Sequence, residues 1–229
     1  MISRYPFCIT ARITLTTTPS KSPTKAERRR LAILEAAERF FARYGYKATR
    51  LEDVAEDLGL TRPALFYHFP DKQALYQATL ANAFGSLANQ LEEALTSAGT
   101  IVERFEQATN VLVDEIARRP SLGRLILRYV TDENEQQQQS IYPESNRLIQ
   151  VAWALFDQGC KSGELKPLHG HPLHAASVVI GSTVFFASAI TKLIPNSDFD
   201  PLSAEHIAAQ KSETLQIVRF LLGVPPATV

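Results

Sequence analysis

A chain of 229 residues with 45% hydrophobic content can bury a sizeable core, which excludes a disordered polypeptide, and 10 Gly with 13 Pro exclude a fibrous one. Formal net charge is zero, but residues 1–72 carry 13 Lys and Arg against 8 Asp and Glu, whereas residues 73–229 carry 11 against 16. A basic front on an acidic rear suits a polyanion-binding head on a larger body, and chance asymmetry is the competing reading.

Residues 1–24 read as a disordered arm: Thr16 to Lys25 is a Thr/Ser/Pro/Lys run, and no long apolar stretch with a small-residue cleavage site precedes it. From Lys25 to Tyr44, Ile33, Leu34, Ala37, Phe40, Phe41 and Tyr44 recur at helical spacing, with Gly45 as the stop. Lys25, Arg28, Arg29 and Arg30 open this helix, as an attraction for a phosphate backbone or as a solubilising helix start. Thr49-Arg50-Leu51-Glu52 reads as a capping box, so a second helix starts at Thr49, turns Leu51, Val54, Ala55 and Leu58 inward and ends at Gly59. Thr61 caps a third helix with Pro63 in its first turn, Pro70 ends it, and Asp71 caps a fourth. Leu65 and Phe69 belong to the core.

Longer helices follow: Asp71 to about Thr96, Ile101 to Arg118, Pro120 towards Asp132, about Glu144 to Cys160, Leu173 to Ile194 and Ser203 to Leu222. The Gln-rich tract Glu133–Ser140 is expected to be an exposed loop or frayed end. Ala175 to Thr191 holds no charge, but it is short for a span and interrupted by Ser177, Gly181, Ser182, Thr183 and Ser188, so a helix at a tight helix–helix contact is expected, not a membrane segment. Cys8 and Cys160 match no metal or redox spacing, and a reducing cytoplasm is expected. His169, His171 and His174 lie near Cys160, but in a Gly/Pro connector without an i, i+4 pair, so no metal is expected there. The chain has no Gly-rich phosphate loop, nucleophile elbow or His-Glu-x-x-His, so neither an enzyme nor a cofactor is expected.

Two short helices joined by Gly59-Leu60-Thr61 fit the helix-turn-helix plan, whose second helix enters a major groove. The run Phe40-Phe41-Ala42-Arg43-Tyr44-Gly45-Tyr46, then Ala48-Thr49, Val54-Ala55, Leu58-Gly59-Leu60-Thr61 and Leu65-Phe66-Tyr67-His68-Phe69-Pro70-Asp71-Lys72 resembles the tetracycline-repressor (TetR) family over about residues 28–80, with Phe66 where the family usually has Tyr. The resemblance implies an all-α protein: an N-terminal three-helix helix-turn-helix domain at 25–80, then a larger helical ligand-binding and dimerisation domain at 81–229. It implies a cytoplasmic transcriptional regulator, a homodimeric repressor on a double-stranded inverted-repeat operator, released by an unknown small apolar or amphipathic effector. The alternatives are a helical small-molecule-binding protein, or an activator without ligand-released repression.

The DNA-contacting set is Thr49, Arg50, Thr61, Arg62, Pro63, Ala64, Tyr67, His68 and Lys72. Arg62 opens the recognition helix, where a guanidinium reads guanine O6 and N7, or is merely a solvated helix-start residue. Ala64 can touch a thymine methyl. Thr49, Thr61, Tyr67, His68 and Lys72 match positions that contact phosphates in the family; the two threonines also suit helix capping, and Tyr67 and His68 could be core instead. The resemblance places dimerisation on the late helices, with small residues (Ala176, Gly181, Ser188) for close approach and Ile207, Leu215, Val218 and Leu222 as a stripe on the last. Phe84, Phe105, Tyr129, Trp153 and Phe156 are the candidates for lining a ligand pocket among the middle helices, each with core packing as its alternative.

Overall fold

The computed structural model describes residues 24–131, 142–194 and 198–225. Among these it forms ten helices and no strand: α1 (Lys25–Ala48), α2 (Leu51–Asp57), α3 (Arg62–His68), α4 (Lys72–Thr96), α5 (Ile101–Arg118), α6 (Pro120–Thr131), α7 (Tyr142–Ser162), α8 (Pro172–Ser188), α9 (Ile190–Leu193) and α10 (Ala204–Leu221). The expected all-α class therefore holds. The arm at residues 1–23 and the tract Glu133–Ser140 lie outside the described residues.

Helix starts are written in short polar signals. Thr24 and Glu27 form a reciprocal capping box on α1, Thr100 and Glu103 another on α5, and Asp71 Oδ1 accepts the Ala74 N–H at 2.7 Å to start α4. The expected cap at Thr49 is not formed. Arg50 occupies the N-cap of α2 without a side-chain bond, while the Thr49 hydroxyl donates to the Gly45 carbonyl at 2.7 Å and closes α1. The competing demand is the open carbonyl end of α1, which Thr49 satisfies instead of the amides of α2. Gly45 sits at φ 78, where the helical path of α1 breaks, and a Cβ there would come within 2.9 Å of the Arg128 guanidinium.

α1 packs against α2, α4 and α6, and α2 against α3. Ile33, Ala37, Phe41, Val54, Leu65 and Leu75 are fully buried between them. Leu51 and Phe69 are buried as expected, and Leu58 is half-buried. Phe41 meets Tyr76 edge-on, with centroids 4.8 Å apart, and Tyr76 lies 5.0 Å from Tyr46. α4 runs unbroken across the expected domain boundary at residue 80 and packs on α5 and α7; α5 packs on α8 and α10, and α6 on α8.

Two polar joints tie α1 to the body. Buried Glu38 accepts from the Arg119 guanidinium and from the Ser121 hydroxyl at 2.7 Å. Arg128 of α6 donates to the carbonyls of Ala42 and Arg43, both at 2.9 Å, placing a cation at the C-terminal turn of α1.

The late helices differ from expectation in three ways. The apolar segment is not one helix to Ile194: it breaks at Ala189 (φ −126, ψ −28) before the short α9. Its small residues do not share one face. Ser188 packs inside the subunit on Gly123 of α6, Ala176 faces a cavity, and Gly181 meets open space. Val218 of α10 and Leu222 at its C-cap are buried within the subunit, and Ile207 and Leu215 are half-buried; Ile217 and Phe220 are the large apolar residues of α10 left exposed. α10 packs on α5 and α8, and it is the Val218 and Leu222 part of the stripe that is buried within the subunit. No helix among the described residues is long and apolar enough to cross a membrane.

Candidate nucleic-acid interface and apolar cavity

α3 is positioned by its two ends. Thr61 is its N-cap and accepts the Ala64 N–H at 3.4 Å, with Pro63 in the first turn where a missing donor costs nothing. At the other end Phe69 is buried, with the Arg30 guanidinium 4.7 Å from its ring centroid. Gly59 at φ 61 makes the turn from α2, and Arg39 of α1 reaches Asp57 at 2.7 Å to hold α2 in place. Leu65 is fully buried, so the rest of the helix is obliged to present its other faces outward.

The outward residues are those that bind polyanions well. Arg62 is exposed; its Nε lies 3.2 Å from Glu52 Oε1 and its guanidinium 5.2 Å from the Phe66 ring centroid. An acid on one side and a ring on the other restrict the rotamers of a long side chain before any partner arrives. Phe66, in place of a tyrosine, thus supplies a face for Arg62. Tyr67 is 88% exposed, which disposes of the core alternative for it, and its ring lies 5.4 Å from that of half-buried His68. Arg50, Thr61 and Pro63 are exposed and Ala64 is half-buried.

Two of the expected contacts are placed less openly. Thr49 is buried, with its hydroxyl and its N–H both directed to the Gly45 carbonyl. Half-buried Lys72 donates to the Lys47 carbonyl at 2.9 Å with its ammonium 4.8 Å from the Tyr46 centroid, and burial pulls its pKa below the usual lysine value. An ammonium has three donors, so this bond leaves Lys72 able to reach a phosphate. Lys25, Arg28, Arg29 and Arg30 lie exposed along the start of α1.

The second feature is a cavity of about 310 Å³ walled by α4, α5, α7, α8 and α10. Phe105, Trp153 and Phe156 line it, joined by residues that sequence patterning did not single out, among them Leu95, Ala108, Thr109, Leu148 and Val179. These look like ordinary core positions in sequence; only the way the five helices stand around them turns them into a wall. Phe84 and Tyr129, the other two candidates, lie apart from it and pair edge-on, 5.5 Å between centroids. No lining residue carries a charge. Ile149, Trp153, Leu173 and Ile180 are each about 40–50% exposed and form the mouth. A volume of this size with so apolar a wall is in the range of small-molecule sites.

Comparison with known proteins bears on both features. Residues 33–79 match the family model for bacterial regulatory proteins, tetR family. Over 156 residues the chain is 31% identical to the HTH-type transcriptional regulator TtgR of Pseudomonas putida, a match spanning 63% of this chain and 74% of that protein. The crystal structure of FadR from Bacillus subtilis in complex with stearoyl-CoA superposes with a TM-score of 0.65 at 16% identity, covering 85% of this chain and 99% of that one. AibR in complex with isovaleryl coenzyme A and operator DNA gives a TM-score of 0.66 at 18% identity, covering 86% and 100%. At such identities the two structures show a shared fold.

Proposed function

Because the chain belongs to the TetR family of bacterial DNA-binding transcriptional regulators, we propose that it is a homodimeric cytoplasmic repressor whose residues 25–80 read an inverted-repeat operator and whose residues 81–229 dimerise and bind a small apolar or amphipathic effector that releases the DNA. The observation that carries this reading is the course of α4. It begins at Lys72, directly after the recognition helix, and Leu91 and Leu95 near its other end wall the cavity. A molecule that alters the cavity acts on the helix that follows α3 in the chain and packs on α1 of the head. The coenzyme A esters held by FadR and AibR support an acyl-bearing effector.

Dimerisation is supported by an uncovered apolar face. Val178 and Phe185 of α8 are exposed, with open space over Gly181 between them, and Ile217 and Phe220 of α10 are exposed as well. Two-fold pairing through these helices would set two recognition helices for major grooves about 34–36 Å apart or a multiple of that. Arg62 reads a base, while Arg50, Thr61, Tyr67, His68 and Lys72 hold phosphates, with Pro63 and Ala64 against the groove; Thr49 acts by closing the end of α1, one residue before the N-cap of α2.

The test is footprinting of purified protein on the DNA upstream of its own gene, with and without effector candidates. One protected inverted repeat is expected, and binding indifferent to sequence at moderate salt overturns the operator reading. An effector should weaken operator binding by roughly 5–150-fold, and operator DNA must weaken effector binding by the same factor. A molecule that binds free and DNA-bound protein equally would overturn release.

A further inference from the structure

The connector before α8 carries three histidines that the DNA-binding reading leaves unused. It is pinned to the end of α10 by two backbone bonds, from Lys166 N–H to the Leu222 carbonyl at 3.0 Å and from Leu168 N–H to the Leu221 carbonyl at 3.1 Å. Gly223, at φ 66, packs so closely on the Lys166 carbonyl that a Cβ could not be placed there. The connector is thus anchored just before the exposed histidines, and His171 is itself tied to α8 by its ring. The rings of His169 and His174 are 4.9 Å apart, and those of His171 and His174 6.3 Å.

This cluster adjoins the mouth of the cavity. His171 meets the Trp153 ring edge-on at 5.5 Å. Phe156 and Ala175 line both the large cavity and the small cleft occupied by the three histidines. His171 Nδ1 accepts the Leu173 N–H at 3.3 Å, so its ring proton resides on Nε2, which is a donor. His171 is also the N-cap of α8, whose first turn presents the positive end of the helix beside the cluster. No three His, Cys, Asp or Glu side chains among the described residues converge as metal ligands. An uncharged wall thus leads to a rim of imidazole N–H groups at a helix N-terminus, which is an arrangement for a molecule apolar along its length and anionic at one end.

We infer that the effector is an acyl chain with an anionic head, the chain lying in the cavity between α7 and α8 and the head held by His169, His171 and His174. This rests on the cavity being the effector site. The head is either a free carboxylate or the phosphates of a coenzyme A ester; both present anionic oxygens to the same donors.

The test titrates full-length protein calorimetrically with dodecanoate, dodecanoyl-coenzyme A and 1-dodecanol, three ligands that share a chain and differ at the head. Two variants accompany it: His169→Gln/His174→Gln, which leaves the His171 cap in place, and Ala152→Trp, which fills the cavity. Thermal unfolding of each verifies that it folds. At least one anionic ligand should bind about tenfold more tightly than the alcohol, the equivalent of one charge-assisted hydrogen bond. The double histidine variant should reduce that preference severalfold without changing the alcohol, His171 still donating, and Ala152→Trp should weaken all three. Preference for dodecanoate identifies a carboxylate head; preference for the thioester alone identifies the coenzyme. Equal binding of anion and alcohol, or a preference undiminished by the histidine substitutions, overturns the histidine assignment and leaves the cavity reading standing. Absence of binding by all three, or binding unchanged in Ala152→Trp, overturns both.

Discussion

The reading head and the body solve opposite packing problems. In the head, α1 to α3 and the start of α4 close around Ile33, Phe41, Val54, Leu65 and Leu75 with none of them exposed, and the functional side chains stand on the outside, restrained by neighbours such as Glu52 and Phe66. Where α1 meets α6, a hollow of about 300 Å³ remains beside Tyr46 and Arg128, but its wall is polar and suits water; in the body, the helices leave about 310 Å³ unfilled behind an apolar wall and put Trp153, Leu173 and Ile180 at its rim. A void forfeits dispersion contacts along its wall, so the body gives up stability that a ligand can restore. Rigidity serves the region that must match a fixed DNA geometry, and incomplete packing serves the region that must respond.

The largest effect should come from truncating a residue where packing is complete. Leu75 of α4 is fully buried in the core of the head, so Leu75→Ala should cost about 3–5 kcal/mol in urea unfolding. Leu112 is also buried, but one side of it faces the cavity; Leu112→Ala should cost about 1–2 kcal/mol, below the usual range for a buried leucine. Equal costs at the two sites would break the contrast, because the cavity wall would then be as tightly packed as the head.

Next is the joint between the regions. Arg119→Ala removes the cation from buried Glu38 and leaves it only the Ser121 hydroxyl, so it should cost about 3 kcal/mol. It should also reduce the mutual effect of ligand and operator, since α1 would lose one of its two polar ties to the body. Destabilisation with coupling intact would assign transmission to α4 and to Arg128.

On the reading face itself, Arg62→Ala should cost about 1–3 kcal/mol on the operator and relax base preference at one position per half-site. Lys72→Ala should weaken all duplexes alike and flatten the salt dependence, by less than an exposed lysine would, because its ammonium is already bonded to the Lys47 carbonyl. If Arg62→Ala weakens every sequence equally, Arg62 touches phosphate and the base reader lies elsewhere on α3.

The head was far more legible in sequence than the cavity, for a physical reason. Its turns and caps are local: Gly59, Thr61, Pro63 and Asp71 act within a few residues and occupy the places that their spacing predicts. The one local error, Thr49, arose because two helix ends compete for a single hydroxyl and sequence does not say which is nearer. The cavity depends on how five helices stand around it, an arrangement that no residue encodes alone. Aromatic side chains were therefore fair candidates, and Phe105, Trp153 and Phe156 reached it while Phe84 and Tyr129 paired with each other. Helical periodicity found the stripe on α10 but could not tell a face buried within the subunit from one left for a partner.

The smallest effect concerns two helix starts, one in each region. Glu27 and Glu103 each accept the N–H of their capping threonine, and those bonds hold both carboxyl pKa values below the ordinary glutamate value. A carboxyl with a lowered folded-state pKa contributes stability that is fully present above its unfolded value, near about 4.3, and is lost as pH falls through the folded one. Glu27→Gln and Glu103→Gln should therefore lower the melting temperature slightly at pH 7 and leave it unchanged well below about pH 4, where the wild-type caps are themselves protonated. The two sites should differ in what they disturb. Glu27 starts the helix that braces the reading head, so its loss should also weaken operator binding; Glu103 starts a cavity wall, and its loss should appear in ligand affinity. Equal effects of both substitutions on DNA would mean that the head and body fold and fluctuate as one unit through α4, against the division of labour drawn here.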